Sequence, residues 1–339
     1  VEHTRTIEPS APVLSRTHLL AVIGAGLLWG TGGLCGALII DRTGLAPLGV
    51  AAYRLAIGGG LVVGWLLLTG RLHRLRLHGR GARRLVALGL LAAMYQSCYF
   101  AAVSLTSVSL ATLITLGSSP VLVVAAEGLL GRQRPDARTG VAVTTAVAGL
   151  ALLVGTPAAG DPAAVLAGTA CALGSAAGFA TITMLGARPV DDLGPLPTAG
   201  LSFCVGGLVL LPLAAVTGGV AVDLEPSTLG LLVFLGLAPT ALAYGLFFTG
   251  LRSVATGSAA LIALLEPLTA AVLGVVVLDE RLGAGGLAGA VLIGVAVLLT
   301  SLRRSRPTTT ADDGVSPLGR PGRGTRPGPH PTSARRRRP

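Results

Sequence analysis

Three ionisable residues lie inside long apolar stretches of this 339-residue chain: Arg54 in AAYRLAIGGG, Glu127 in VVAAEGLL and Glu266 in IALLEPLTAA. An ionised group in hydrocarbon costs several kcal/mol unless it is paired or hydrated, so each marks a candidate binding or proton-carrying position. Arg54 carries a planar fork of donors suited to a carboxylate or another anion; the plainer reading is a structural partner for a helix-end carbonyl or a buried Glu. Glu266 precedes Pro267, whose missing N–H loosens the local hydrogen-bond ladder and leaves carbonyls available. That combination suits a cation or a proton, and the plainer reading is a carboxylate that hydrates an open cavity. Glu127 lies near the end of its stretch, either as a second proton-coupling group or as a partner of Arg132 or Arg134.

At 1.5 Å per residue Arg54 is about 12 Å, and Glu266 about 18 Å, from the same side of the apolar layer. The two are therefore expected to meet in a direct contact. Trp29, Thr31, Tyr95, Gln96 and Tyr244 add polar tips at intermediate depths, and together they are expected to line a substrate cavity. Taken singly, each could be a packing residue or an interhelical hydrogen bond worth about 0.6 kcal/mol. Pro120, Pro239 and Pro267 are read as helix kinks.

The elements that must position these groups are ten apolar runs of helical length, at 19–40, 46–69, 85–104, 107–130 and 139–155, then 163–186, 195–216, 228–250, 257–278 and 284–302. Most approach the roughly 20 residues that cross the hydrocarbon layer, and none shows the period-2 alternation of a barrel strand. Only 12% of the residues are charged and 52% are hydrophobic, against about 25% charged in soluble domains; mean hydropathy is +0.76. An all-α integral membrane protein follows, with the first run read as a retained span.

All 26 basic residues are Arg, and ten of them lie beyond Leu302 in a Pro/Gly-rich tail. The net charge of +11 thus reflects membrane topology and not a nucleic-acid partner. Arg71, Arg74, Arg76, Arg80, Arg83 and Arg84 crowd one connection, and Arg132, Arg134 and Arg138 another, which assigns both to the cytoplasm together with the two termini. Residues 1–18 and 303–339 are read as disordered tails, the second able to touch anionic lipid through Arg335 to Arg338. The four cysteines are far apart within the runs, and the five histidines lie in tails or a loop or at a helix edge. No metal spacing, cofactor motif or Ser–His chemistry is expected.

The chain also repeats itself. A shift of 150 sets Trp29-Gly30-Thr31 on Phe179-Ala180-Thr181, Pro47 on Pro197 and Tyr53 on Phe203; a shift of 148 sets Phe100 on Phe248 and Leu113-Ile114 on Leu261-Ile262; Pro120 corresponds to Pro267. Residues 19–155 and 163–302 are thus two five-span repeats. An odd number of crossings per repeat inverts the second relative to the first, the architecture of secondary transporters that work by alternating access.

The segment LVFLGLAPTALAYGLFFTGLRSVATGSAALIALLEPLTAAVLGVVVLDERL, residues 232–282, resembles the last helices of the EamA-type branch of the drug/metabolite transporter superfamily, and APLGVAAYRLA at 46–56 resembles its second helix. The resemblance spans 19–302. It implies a ten-helix inner-membrane carrier, often an exporter of amino acids or other small metabolites. One departure stands out: the family's Glu-Arg after the fourth helix is kept as Glu280-Arg281 in the second half but replaced by Gln133-Arg134 in the first. A non-transporting receptor or assembly subunit, and an intramembrane lipid-modifying enzyme, are the alternatives; neither accounts for the repeat, and an enzyme would be expected to gather acid, base or nucleophile groups at one face.

Overall fold

In hydrocarbon every backbone N–H and C=O must be satisfied within the protein, and runs this apolar meet that demand by coiling into helices. The computed structural model describes residues 16–75, 79–106, 108–131, 136–154, 161–188, 190, 193–217, 219–221, 225–278 and 283–301. Arg76, Arg132, Arg134, Glu280, Arg281 and the tails at 1–15 and 302–339 lie outside them.

Seven helices are single elements: α1 (Arg16–Thr43), α2 (Pro47–Leu68), α3 (Gly79–Leu105), α4 (Val108–Leu129), α5 (Ala137–Val154), α6 (Pro162–Gly186) and α7 (Pro195–Val216). The eighth span is interrupted: α8 (Pro226–Gly236) passes through a π-helical turn at Leu237–Leu242 into α9 (Ala243–Gly250). The ninth is broken into α10 (Thr256–Ile262) and α11 (Leu265–Leu278), and α12 (Ala284–Ser301) completes the set. The run 257–278 reads as one span by hydropathy, yet Ala263 and Leu264 fall between two helices. Among the described residues nine spans have the length and apolarity to cross a membrane, and a shorter apolar helix, Ala284–Thr300, is the tenth. The protein is all-helical and multi-pass.

Local chemistry fixes the ends. Pro begins α2, α6, α7 and α8, where its missing N–H removes a donor that has no intrahelical acceptor anyway. Asp161 accepts from the Ala164 N–H at 3.2 Å, and Asp136 does the same for the Thr139 N–H at 2.9 Å, capping α6 and α5. The chain leaves α2 through Gly70 and α4 through Gly131, with φ of 65° and 64°, the left-handed conformation that glycine adopts without a Cβ clash.

Helix pairs then meet along small residues, because packing in lipid depends on close backbone approach. α2 runs antiparallel to α7: Gly49 lies on the Gly219 carbonyl at one end, Gly59 meets Cys204 midway, and Val62 meets Gly200 farther on. α5 and α12 pack in the same sense through Gly149 and Gly289. α3 lies on α6, with Tyr95 near Gly178 and Thr106 near Gly168, and α1 lies on the eighth span, with Val22 near Gly250 and Gly32 near Pro239. α1 packs on α11 as α6 packs on α4. The pairing is the same when the first five spans are exchanged for the second five.

These approaches give a direct comparison within one helix. A methyl at Gly49 would collide with the Gly219 carbonyl, whereas nothing lies within 4 Å of the same group at Gly60. The melting temperature of purified Gly49→Ala in detergent is expected to fall by several degrees. Gly60→Ala is expected to hold or rise, since alanine is favoured over glycine in a helix by about 0.5–1 kcal/mol.

Candidate functional site

The walls of α1, α2, α3 and α4, with contributions from Leu235 and Glu266, enclose a cavity of about 250 Å³. That is just below the roughly 300–1,000 Å³ of drug-sized ligand pockets, and it sets a small molecule as the upper limit of what fits. Five of the polar candidates meet on its surface: Trp29, Arg54, Tyr95, Gln96 and Glu266. Ala37 and Ile40 near the end of α1, Pro47 at the start of α2, Val103 near the end of α3 and Thr112 near the start of α4 form the rim. All five belong to the end of the bundle that carries the α1–α2 and α3–α4 connections, so the cavity extends toward that end.

Its floor is aromatic. Trp29, only 4% exposed, packs edge-on against Tyr244 at 4.9 Å between ring centroids and Phe179 at 5.9 Å, and lies 5.0 Å from Phe247. Tyr244 in turn meets Phe203 edge-on at 4.7 Å. These rings belong to both repeats and close the cavity toward the opposite end. The Trp29 indole N–H is buried without a hydrogen-bond acceptor, which costs about 1–3 kcal/mol.

Arg54 is half-buried on the wall. Its Nε–H donates to the Thr240 hydroxyl at 3.2 Å and its Nη2 to the Pro239 carbonyl at 3.3 Å. Both acceptors lie in the π-helical turn. A proline cannot donate there, and its ring crowds the preceding turn; widening of the helix relieves that crowding and turns carbonyls outward. The Thr240 hydroxyl donates to the Leu235 carbonyl at 2.7 Å, which fixes the lone pairs that Arg54 uses. A guanidinium has five N–H donors, and two are taken up here, so the remainder can serve the cavity.

Glu266 stands in the first turn of α11, immediately after the break, with its N–H donating to the Ala263 carbonyl at 2.9 Å. It lines the same cavity as Arg54, but no hydrogen bond or ion pair joins the two, so the expected direct contact is not made: Arg54 is held by the eighth span instead. Pro267 falls in the first turn of α11, where no intrahelical donor is lost, and Pro120 lies inside a continuous α4.

The remaining candidates lie elsewhere. Thr31 donates to the Leu28 carbonyl of its own helix at 2.7 Å and does not line the cavity. Tyr244 belongs to the aromatic floor beneath it. Glu127 is buried at the far end and accepts a hydrogen bond from Thr256; Arg132 and Arg134, its other expected partners, are outside the described residues. Trp65, near the end of α2, carries the Arg71 guanidinium over its ring at 4.9 Å.

Sequence reasoning missed a pair on the cavity wall, Tyr99 and Thr112, whose hydroxyls are 2.8 Å apart across α3 and α4. The signal for Tyr99 was present, since it follows Tyr95 by four residues and so shares its helix face.

Comparison with known proteins agrees with this architecture. The profile of the EamA-like transporter family matches residues 16–155 and 166–302. YwfM of Bacillus subtilis (strain 168), described as an uncharacterized transporter, is 32% identical over 84% of this chain and 93% of its own length. YicL of Salmonella typhimurium, described as an uncharacterized inner membrane transporter, is 27% identical over 86% of this chain and 98% of its own. A solved crystal structure superposes with a TM-score of 0.70 over 83% of this chain and 95% of that one at 20% identity, a likeness of fold. With two matched repeats, a membrane-spanning helical fold and relatives aligned over nearly their whole length, the chain belongs to the EamA-like transporter family of the drug/metabolite transporter superfamily, whose members are membrane transporters and not enzymes.

Proposed function

We propose that the protein is a secondary transporter that moves a small zwitterionic metabolite, an amino acid or a related compound, by alternating access between two inverted repeats. One observation carries the reading: a cavity that reaches toward one end, with rings of both repeats beneath it, holds a guanidinium and a carboxylate with no hydrogen bond between them. The unused N–H donors of Arg54 suit a substrate carboxylate, the Trp29 N–H lacks an acceptor that a substrate oxygen would supply, and Glu266 suits an ammonium group. Tyr95 and Gln96 complete a wall that is polar at depth and apolar toward the rim, which favours an amphipathic molecule.

The arginine-rich connections assign the closed end, with both termini, to the cytoplasm, so the conformation is the outward-open one. We assign efflux as the direction on the family resemblance. Nothing in the chain reads as an ATP-binding motif, and the driving force is an ion or substrate gradient, with Glu266 as the proton-carrying candidate and Glu127 as a second. The basic tail adds a contact with anionic lipid at the cytoplasmic surface.

Counterflow in proteoliposomes tests the carrier. Vesicles loaded with one unlabelled amino acid at a time are expected to accumulate the matching trace label for at least one of them. Arg54→Gln is expected to lower that accumulation at least about tenfold, the loss of one charge-assisted hydrogen-bonded pair of roughly 1.5–3 kcal/mol. Silence across the panel with ligand binding retained would instead make the protein a receptor.

Topology is tested independently. In a chain whose cysteines are all replaced by alanine, Arg42→Cys is expected to react with a membrane-impermeant maleimide in intact cells, and His73→Cys only after lysis. The reverse pattern would invert the assignment.

A further inference from the structure

We propose that Glu127 and Thr256 form an inter-repeat latch that holds the cytoplasmic end shut and biases the protein toward its outward-open state. Glu127 projects from the last turns of α4, in the first repeat; Thr256 is the first residue of α10, in the second. The Thr256 hydroxyl donates to the Glu127 carboxylate, and Glu127 as a whole is only 8% exposed. Gly257 lies against the same pair of residues: a methyl there would stand 3.1 Å from Val124 Cγ2 and 3.6 Å from Glu127 Oε2. Opening the cytoplasmic end by moving α10 from α4 breaks this hydrogen bond and exchanges it for water, at the net cost of one intramolecular hydrogen bond.

The latch belongs to one end only. The shift that sets Pro120 on Pro267 places Gly274 at the position of Glu127, and Ser109 at that of Thr256. At those two positions the other pairing has a glycine and a serine, so the same pair of groups does not recur there. Two closures related by the pairing of the helices are therefore unequal in energy, and one part of the difference is a hydrogen bond between two named side chains.

The inference rests on the alternating-access reading, and the experiment separates the two. In the full-length chain with its four cysteines replaced by alanine, Ala37→Cys on the cavity rim is labelled in right-side-out vesicles by a charged, impermeant methanethiosulfonate. Loss of the hydrogen bond is expected to lower the outward-to-inward population ratio roughly tenfold, and so to slow labelling, in Glu127→Leu and in Thr256→Val, with no further loss in the double variant. Thr256→Ser keeps the donor and is expected to label as the parent does; Glu127→Gln keeps a neutral acceptor and is expected to label between the parent and the Leu variant. Each variant is first shown to elute as a monodisperse peak and to label fully once denatured. Unchanged labelling in the Leu and Val variants, or a Gln variant that behaves as the Leu variant does, would overturn the latch. Amino-acid counterflow by the same preparations reports on the carrier itself: counterflow with latch-insensitive labelling removes the latch and keeps the carrier, and latch-sensitive labelling without counterflow keeps the latch and removes the carrier.

Discussion

A guanidinium can stand within the apolar layer only if oxygen atoms are brought to it, and the arrangement around Arg54 follows from that requirement. The oxygens come from the eighth span, which surrenders regular geometry to provide them: Pro239 breaks the hydrogen-bond ladder, the turn widens, and the Pro239 carbonyl and Thr240 hydroxyl face α2. Gly32 lets α1 lie close to Pro239, and the same helix then carries Trp29 to the cavity floor. Arg54, the irregular turn and the floor are thus one construction.

The two-fold pairing of helices supplies the frame, and the charges break its symmetry. Backbone contacts along glycine repeat in both halves, but Arg54 has Cys204 as its repeat mate, and the ninth span is broken where α4 is continuous. A symmetric scaffold allows two arrangements of similar packing energy; unlike side chains at equivalent positions decide which groups meet in each.

Much of this was legible in the sequence. Runs of apolar residues are long enough to count as spans, and the repeat follows from matched aromatics and prolines, since both depend on chain order alone. Trp29, Arg54, Tyr95, Gln96 and Glu266 share a cavity because polar groups at similar depth in a bilayer have few other places to go. What each of them touches was not legible. Arg54 was expected to find Glu266, but hydropathy says nothing of the angular position of a helix, and the nearer acceptors were backbone and hydroxyl oxygens of a turn whose irregularity depends on tertiary packing. The break at Ala263 and Leu264 was hidden for a related reason: both residues are apolar, so the pattern ran through them unchanged.

That break has a mechanical consequence. The ninth span is not a single rod but two arms on a joint, about 10 Å long on the side of Thr256 and about 21 Å on the other, at 1.5 Å per residue for helices of 7 and 14 residues. Glu266 sits at the joint, and a rotation there carries the tip of the long arm about twice as far as the same rotation carries the tip of the short one. A small rotation at the joint is therefore magnified at the far tip of the long arm: the break gives the ninth span a gear ratio.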